Sequence, residues 1–351
     1  MITASDATLA QLSLDAYGDA PVLPPGFTAA PLQLPPDPAA RYANGVYHDA
    51  NGAALAVTGL LDGEQTLVLA FRGSDDCADS ISDLQGINAG YPNFQSLIAA
   101  ADAYAASGAV QQVVVTGHSL GGADVQLYMA SHPDQPGGVP HRGETFGSPG
   151  AMLAPAPDAR IENIVIADDP AVFLGAHRGE IGAVLQADPL LAAAAAQQIA
   201  HDLPGLTVQE ALASLPFLTS NYTNRGTIVL LPGENGQLGP AAPNGLLEAD
   251  PAEHRATLYV AETTEAAAGT LASETVPMTH GNAEDAWLRA VYAGDYSSGV
   301  SAGNLLQGVL GDLADTHFLL ADAQNLFGGT GQQIETGWQH LLAATHGFDL
   351  F

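Results

Sequence analysis

The sequence predicts an α/β fold in which a mostly parallel central sheet is flanked by helices. Three stretches carry that reading. Leu67-Val68-Leu69-Ala70-Phe71 is an unbroken apolar run, Val113-Val114-Val115 is a β-branched run, and Ile161–Ala167 is a third buried-strand segment. Runs that do not alternate fit strands buried on both faces, as in a parallel sheet covered by helices. Segments of helical pattern, Gln95–Ala106 and Ala123–Ala130, fall between them.

The second strand leads directly into Thr116-Gly117-His118-Ser119-Leu120-Gly121-Gly122. Gly117, Ser119 and Gly121 give the spacing Gly-x-Ser-x-Gly, with a strand before it and a helix after it. That order is the nucleophile elbow of an α/β-hydrolase. The turn is tight enough that glycines are needed two residues either side of the serine. The serine backbone is strained, its hydroxyl projects from the sheet, and the helix N-terminus turns free N–H groups towards the reacting atom. Ser119 is therefore the expected nucleophile.

A chain of 351 residues with a 47% apolar fraction holds one large α/β domain or two modest ones. We read 1–351 as a single domain. There are 38 acidic residues against 8 basic ones, all of them arginine, for a net charge of −30. Nucleic acid and anionic membrane surfaces are poor partners for such a chain. Acidity of this kind reads as solubility in salt or in an extracellular setting. A calcium-loaded partner or tail is the alternative reading, and the chain has no acidic blocks dense enough to require a structural Ca2+. The single cysteine, Cys77, excludes an internal disulfide and multi-cysteine metal sites. No apolar run approaches the roughly 18 residues of a transmembrane segment. The N-terminus lacks the basic and apolar regions of an ordinary signal peptide, so in an exported protein the signal was removed or lies elsewhere. Phe348-Asp349-Leu350-Phe351 is compatible with a C-terminal export signal, although the glycine-rich nonapeptide repeats that accompany such signals are absent.

In chain order, Ser5 or Asp6 is expected to cap a short helix bearing Leu9, Leu12, Ala16 and Tyr17, stopped at Gly18. Residues 21–38 hold seven prolines and read as a surface wrap. Asn51-Gly52 and Asp62-Gly63 are hairpin dipeptides on either side of a strand at Ala53–Leu60. Residues 75–93, with Asp79–Leu84 as a short amphipathic helix, form a candidate lid. Residues 175–222 read as two or three helices, an insertion either packed on the sheet or capping the site. Arg225–Leu231 is a last clear strand, and 281–351 is a C-terminal helical extension.

Ala70-Phe71-Arg72-Gly73-Ser74 resembles the oxyanion-loop motif of the class 3 (fungal-type) lipases, and Phe146-Gly147-Ser148-Pro149 resembles an element of the same family. Tyr91-Pro92-Asn93-Phe94 departs from the family's His-x-Gly-Phe motif. The resemblance runs from about residue 5 to 262 and implies a lipase or carboxylesterase. It implies an oxyanion hole from Ser74 and the N–H of Leu120. It implies a triad acid at Asp169, which abuts Pro170, with Asp168 the second choice. It implies a catalytic histidine at His254, which has Tyr259 five residues on, with His280 in Met278-Thr279-His280-Gly281 the second choice. His118 occupies a position that is usually outside the triad in that family.

The order Ser119, Asp169, His254 matches the chain order of α/β-hydrolase triads. The expected reaction is acyl transfer from an ester to water through an acyl-enzyme, with no cofactor required. The expected partner is an acyl-ester substrate, including one presented at a lipid–water interface. A small-ester or polyester esterase, a phospholipase A1 and a thioesterase are alternatives on the same fold. A non-catalytic binding protein is disfavoured by the intact serine, acid and histidine. Acyl chain length and oligomeric state are left open.

Overall fold

The computed structural model describes residues 1–50, 52–74, 86–166, 169, 171–172, 175, 178–187, 189–202, 206–232 and 254–276. Helix α1 (Ala4–Asp15) opens the chain, and its cap is Thr3 rather than Ser5 or Asp6. The Asp6 N–H donates to the Thr3 hydroxyl while the Thr3 N–H donates to the Asp6 carboxylate. This reciprocal box pairs two N–H groups at the helix start, which moves the cap two residues earlier than Ser5.

Strand β1 (Thr28–Ala29) lies inside the proline-rich wrap, followed by β2 (Arg41–Ala43), β3 (Val46–Asp49), β4 (Gly52–Leu61) and β5 (Glu64–Phe71). Asp62 and Gly63 join β4 to β5 with φ of 54° and 83°, the two positive values that a two-residue hairpin turn needs. Then come α2 (Gln95–Ala106), β6 (Gln112–His118), α3 (Leu120–Ser131), β7 (His141–Phe146) and β8 (Ile161–Ile166). Between β8 and β9 (Thr227–Leu231) the described residues include helices α4 (Arg178–Ala187), α5 (Pro189–Asp202) and α6 (Val208–Ser214). Helix α7 (Ala256–Ala267) and β10 (Glu274–Val276) complete the described elements.

The ten strands form one sheet in the order β10-β9-β8-β7-β6-β5-β4-β3-β2, with β1 paired to β4. Strands β5 to β9 are mutually parallel, and antiparallel strands flank them on both sides. This is the α/β-hydrolase fold. Strands β2, β3 and β10 were not expected from the sequence. Each is only three or four residues long, so pairing with a neighbour, not an internal pattern, makes it a strand.

The unbroken apolar runs divide between the two faces with the period of two that a strand imposes. Leu67, Leu69, Phe71, Val113 and Val115 meet Leu97, Ala101, Val125 and Tyr128 on the side of α2 and α3. Val68, Ala70, Val114, Phe146, Ile164 and Ile166 meet Leu9, Leu12 and Tyr259 on the side of α1 and α7. Helix α3 is buried nearly all round, because Ile87, Ala151 and Tyr222 cover its outer side at Ala123 and Leu127.

Within the candidate lid, residues 75–85 lie outside the described residues, as do Cys77 and the extension 281–351. Ile87–Ala89 and Tyr91–Phe94 form 3-10 turns. Ile87 packs beside α3, and Phe94, just past the 75–93 stretch, packs edge-on to Phe71 at 4.9 Å.

Candidate active site

Adjacent parallel strands deliver the site residues to one edge of the sheet. Phe71 of β5 is in register with Gly117 of β6, His118 with Phe146 of β7, and Phe146 with Ile164 of β8. The segments that leave these strands at their C-terminal ends therefore converge, which is where open α/β sheets form their crevice.

Ser119 sits at the turn with φ 58° and ψ −126°, a conformation that side-chain-bearing residues rarely adopt. A Cβ at Gly117 would run into the backbone of Gly121, and one at Gly121 into the carbonyl of Phe71. The two motif glycines thus make room for the turn. The Ser119 N–H donates to the Phe146 carbonyl at 2.9 Å, extending the β6–β7 ladder through the strained residue. Strain of this kind costs about 1–3 kcal/mol. Burying Leu69, Phe71 and Val115 nearby, at about 1.5–3 kcal/mol each, outweighs it.

From Ser119 a continuous line of short contacts runs inward. His254 Nε2 lies 2.7 Å from Ser119 Oγ, and His254 Nδ1 lies 2.8 Å from Asp169 Oδ2 and 3.0 Å from Oδ1. Asp169 is fully buried. Its Oδ1 accepts from the Ala171 N–H at 2.8 Å, and its Oδ2 accepts from the Tyr259 hydroxyl at 2.6 Å. Tyr259 in turn accepts from the Ile166 N–H at 3.1 Å.

Burial pushes the Asp169 carboxyl up, but the adjacent His254 and the hydrogen bonds from His254, Tyr259 and Ala171 hold it below the usual carboxylate range. Burial also works against a charged His254, yet Asp169 raises the imidazole above its ordinary 6.5. Both shifts favour a stable carboxylate–imidazolium pair. Gly147, at φ 59°, is the close neighbour that makes room: a Cβ there would come within 2.6 Å of Asp169 Oδ2 and 2.8 Å of the Tyr259 oxygen.

Ser74 is half-buried, one residue after Gly73. A Cβ on Gly73 would stand 3.2 Å from Ser119 Cβ, so the loop after β5 passes directly against the serine. Leu120 is the first residue of α3, and its N–H has no helical carbonyl behind it to accept. Asp168 and His280 lie outside the described residues. Among the described residues no group of three or more His, Cys, Asp or Glu is arranged to hold a metal ion, and no helix is long and apolar enough to cross a membrane.

Sequence reasoning assigned no role to two groups that border this line. His118 and Tyr17 are 2.9 Å apart, and His118 also contacts the main chain of His254. The motif position of His118 was the only available signal. The partnership with Tyr17 has none, because the two residues meet only where the turn after α1 packs on β6.

No family model and no curated protein sequence matches the chain. In three dimensions it is similar to fungal lipases. One is the Rhizomucor miehei lipase in its propeptide complex: 22% identity and a TM-score of 0.27, covering 36% of this chain and 48% of that one. The chain thus spans about half the length of that lipase. Another is a lipase from Yarrowia lipolytica: 17% identity and a TM-score of 0.33, covering 48% of this chain and 70% of that one. A third is a triacylglycerol lipase whose catalytic centre is a serine protease triad: 14% identity and a TM-score of 0.36, covering 71% of this chain and 91% of that one. The strand order, not this likeness, carries the fold assignment.

Proposed function

We propose that the chain is a serine carboxylic-ester hydrolase, a lipase or carboxylesterase, with Ser119 as nucleophile, His254 as general base and Asp169 as the orienting acid. The observation that supports this best is the unbroken line from Ser119 Oγ through both imidazole nitrogens to a fully buried carboxylate. A hydroxyl is a poor nucleophile at neutral pH, and a base within hydrogen-bond reach, itself oriented by a third group, is what activates it.

In this reading His254 Nε2 removes the Ser119 proton as Oγ attacks the ester carbonyl. The carbonyl π pair moves onto oxygen, giving a tetrahedral oxyanion. The N–H of Leu120 and the N–H and hydroxyl of Ser74 are the proposed donors to it, each worth a few kcal/mol. Collapse of the intermediate breaks the carbon–oxygen bond to the alcohol, which leaves with the proton from His254. Water, deprotonated by the same imidazole, attacks the acyl carbon, and the bond to Ser119 Oγ breaks as His254 returns the proton to Oγ and the acid leaves. Asp169 holds the Nδ1–H tautomer and stabilises the imidazolium in both halves. None of these steps calls on a cofactor.

The acyl-ester substrate, its presentation at a lipid–water interface and an extracellular location belong to the same proposal. A fluorophosphonate probe is expected to label Ser119 once per chain, and Ser119→Ala to abolish labelling and turnover of p-nitrophenyl esters. Turnover by the alanine variant at the parent rate would sink the proposal.

A further inference from the structure

Helix α1 and the turn that follows it are fastened to β6 at two points. Ser13 lies in the last turn of α1 and Tyr17 two residues past its end, while Thr116 and His118 are two apart and share one face of the strand. The Ser13 and Thr116 hydroxyls are 2.8 Å apart, and the Tyr17 hydroxyl is 2.9 Å from His118 Nδ1. The first contact ends there. The second continues: His118 Nε2 lies 2.8 Å from the main-chain carbonyl oxygen of His254.

The hydrogen positions follow from chemistry. A carbonyl only accepts, so Nε2 carries the hydrogen. Burial, with His254 alongside, pushes His118 down to about 3, and the ring is neutral. A neutral imidazole has one N–H, so Nδ1 accepts and the Tyr17 hydroxyl donates. Tyr17 thereby selects the tautomer that reaches residue 254. The His118 and His254 rings lie 4.8 Å apart and the Tyr259 ring 5.6 Å from His118, which leaves the His118 ring little freedom to turn.

We infer that His118 is a positioning residue for His254: its Nε2–H holds the main chain of residue 254, and so keeps the imidazole in line with Ser119 Oγ. This rests on the reading of Ser119, His254 and Asp169 as the hydrolytic set. The bond from Nδ1 to Asp169 orients the His254 ring but lets it pivot about the carboxylate. A second anchor on the main chain of the same residue stops the pivot. A misplacement of about 1 Å at a base costs on the order of a hundredfold in rate. The elbow thus carries the nucleophile and, one residue earlier, the group that places the base.

The test compares His118→Leu, His118→Phe, His118→Gln and Tyr17→Phe in the full chain. Turnover of a soluble p-nitrophenyl ester is expected to fall at least about tenfold in kcat for the leucine and phenylalanine variants, with KM within about twofold of the parent. The glutamine amide N–H reaches the same carbonyl, and His118→Gln is expected to recover most of kcat. Tyr17→Phe frees the tautomer and is expected to lose about three- to tenfold. Melting temperatures of the leucine, phenylalanine and glutamine variants should fall together, which separates positioning from stability. The phenylalanine ring nearly matches the imidazole in volume and covers the case in which leucine does not fold.

A second readout does not depend on turnover. The low-field proton resonance of His254 Nδ1–H is expected in the parent and in His118→Gln, and is expected to be broadened or lost in His118→Leu and His118→Phe. If the parent hydrolyses no ester, the hydrolase reading fails and this resonance alone decides the tether. An unchanged resonance in both apolar variants overturns the inference, as does kcat retained within about twofold or equal impairment of the glutamine and apolar variants.

Discussion

Tyr259 donates its hydroxyl hydrogen to Asp169 Oδ2, the same oxygen that lies 2.8 Å from His254 Nδ1. One carboxylate oxygen is thus shared between a phenol on α7 and the imidazole two residues before that helix. Tyr259→Phe removes the donor and leaves the Ile166 N–H without its acceptor. A charge-assisted hydrogen bond of this kind is worth about 1.5–3 kcal/mol. The variant is therefore expected to lose roughly tenfold or more in kcat. It should also melt several degrees lower, as read by steady-state kinetics and differential scanning calorimetry.

Asp169→Asn should be far more damaging. The amide no longer enforces an Nδ1–H tautomer, and the lone pair on Nε2 that accepts the Ser119 proton is lost. A drop in kcat on the order of ten-thousandfold is expected, with the fold intact by circular dichroism. Asp168→Asn is expected to stay near the parent rate. The reverse outcome would exchange the two aspartates in the mechanism.

His254 must be neutral to act as a base. Asp169 raises the imidazole above 6.5, so kcat/KM should rise with pH through a midpoint above 6.5. Stability follows a different window. The raised folded-state value of His254 stabilises the fold fully below about 6.5 and is lost as pH climbs through the folded value. The lowered value of Asp169 stabilises it fully above about 3.8 and is lost as pH falls through the folded value. The pair thus contributes most between those limits, below the pH of greatest activity. Melting temperature and kcat/KM profiles on one set of buffers should be displaced accordingly, and coincident optima would contradict the assignment.

Glu144 is buried beneath α1, in register with Glu162 on the neighbouring strand. Burial, then Asp6 and Glu162, push its carboxyl well above 4.5, and one of its oxygens has no hydrogen-bond partner. A raised carboxyl stabilises the fold only while protonated, so its contribution is lost as pH rises through the folded value. Glu144→Gln is expected to raise the melting temperature at pH 8 by about 2 °C or more and to change it little at pH 4. A loss of stability at pH 8 would show that the ionised carboxylate is held favourably there.

The parts of the fold legible in sequence were those specified over a few residues. The strand–serine–helix turn is one, because glycine spacing and β-branched runs act within a dozen residues. Helix Gln95–Ala106 is another, since Leu97, Ala101 and Ala105 repeat at one turn's spacing on the buried side. Thr3, Ser5 and Asp6 are equally good capping residue types, and only the paired hydrogen bonds distinguish Thr3. Strand Glu274–Val276 has no signature of its own, because its strand character comes from pairing with Thr227–Leu231.

For the site, the sequence alone determined the chemistry of the turn. A serine on a tight strand-to-helix elbow follows from local sterics and needs no knowledge of the rest of the chain. Asp169, which abuts Pro170, and His254, with Tyr259 five residues on, were nominated by the resemblance to the class 3 lipases and not by local sterics. Distance was decided by tertiary structure. The 2.7 Å between Ser119 and His254, the sharing of Asp169 Oδ2 with Tyr259, and the link from Tyr17 through His118 to residue 254 join segments far apart in the chain. Sheet register and the packing of α1 and α7 on one face bring them together. Those are properties of pairing between elements, which no local residue pattern records.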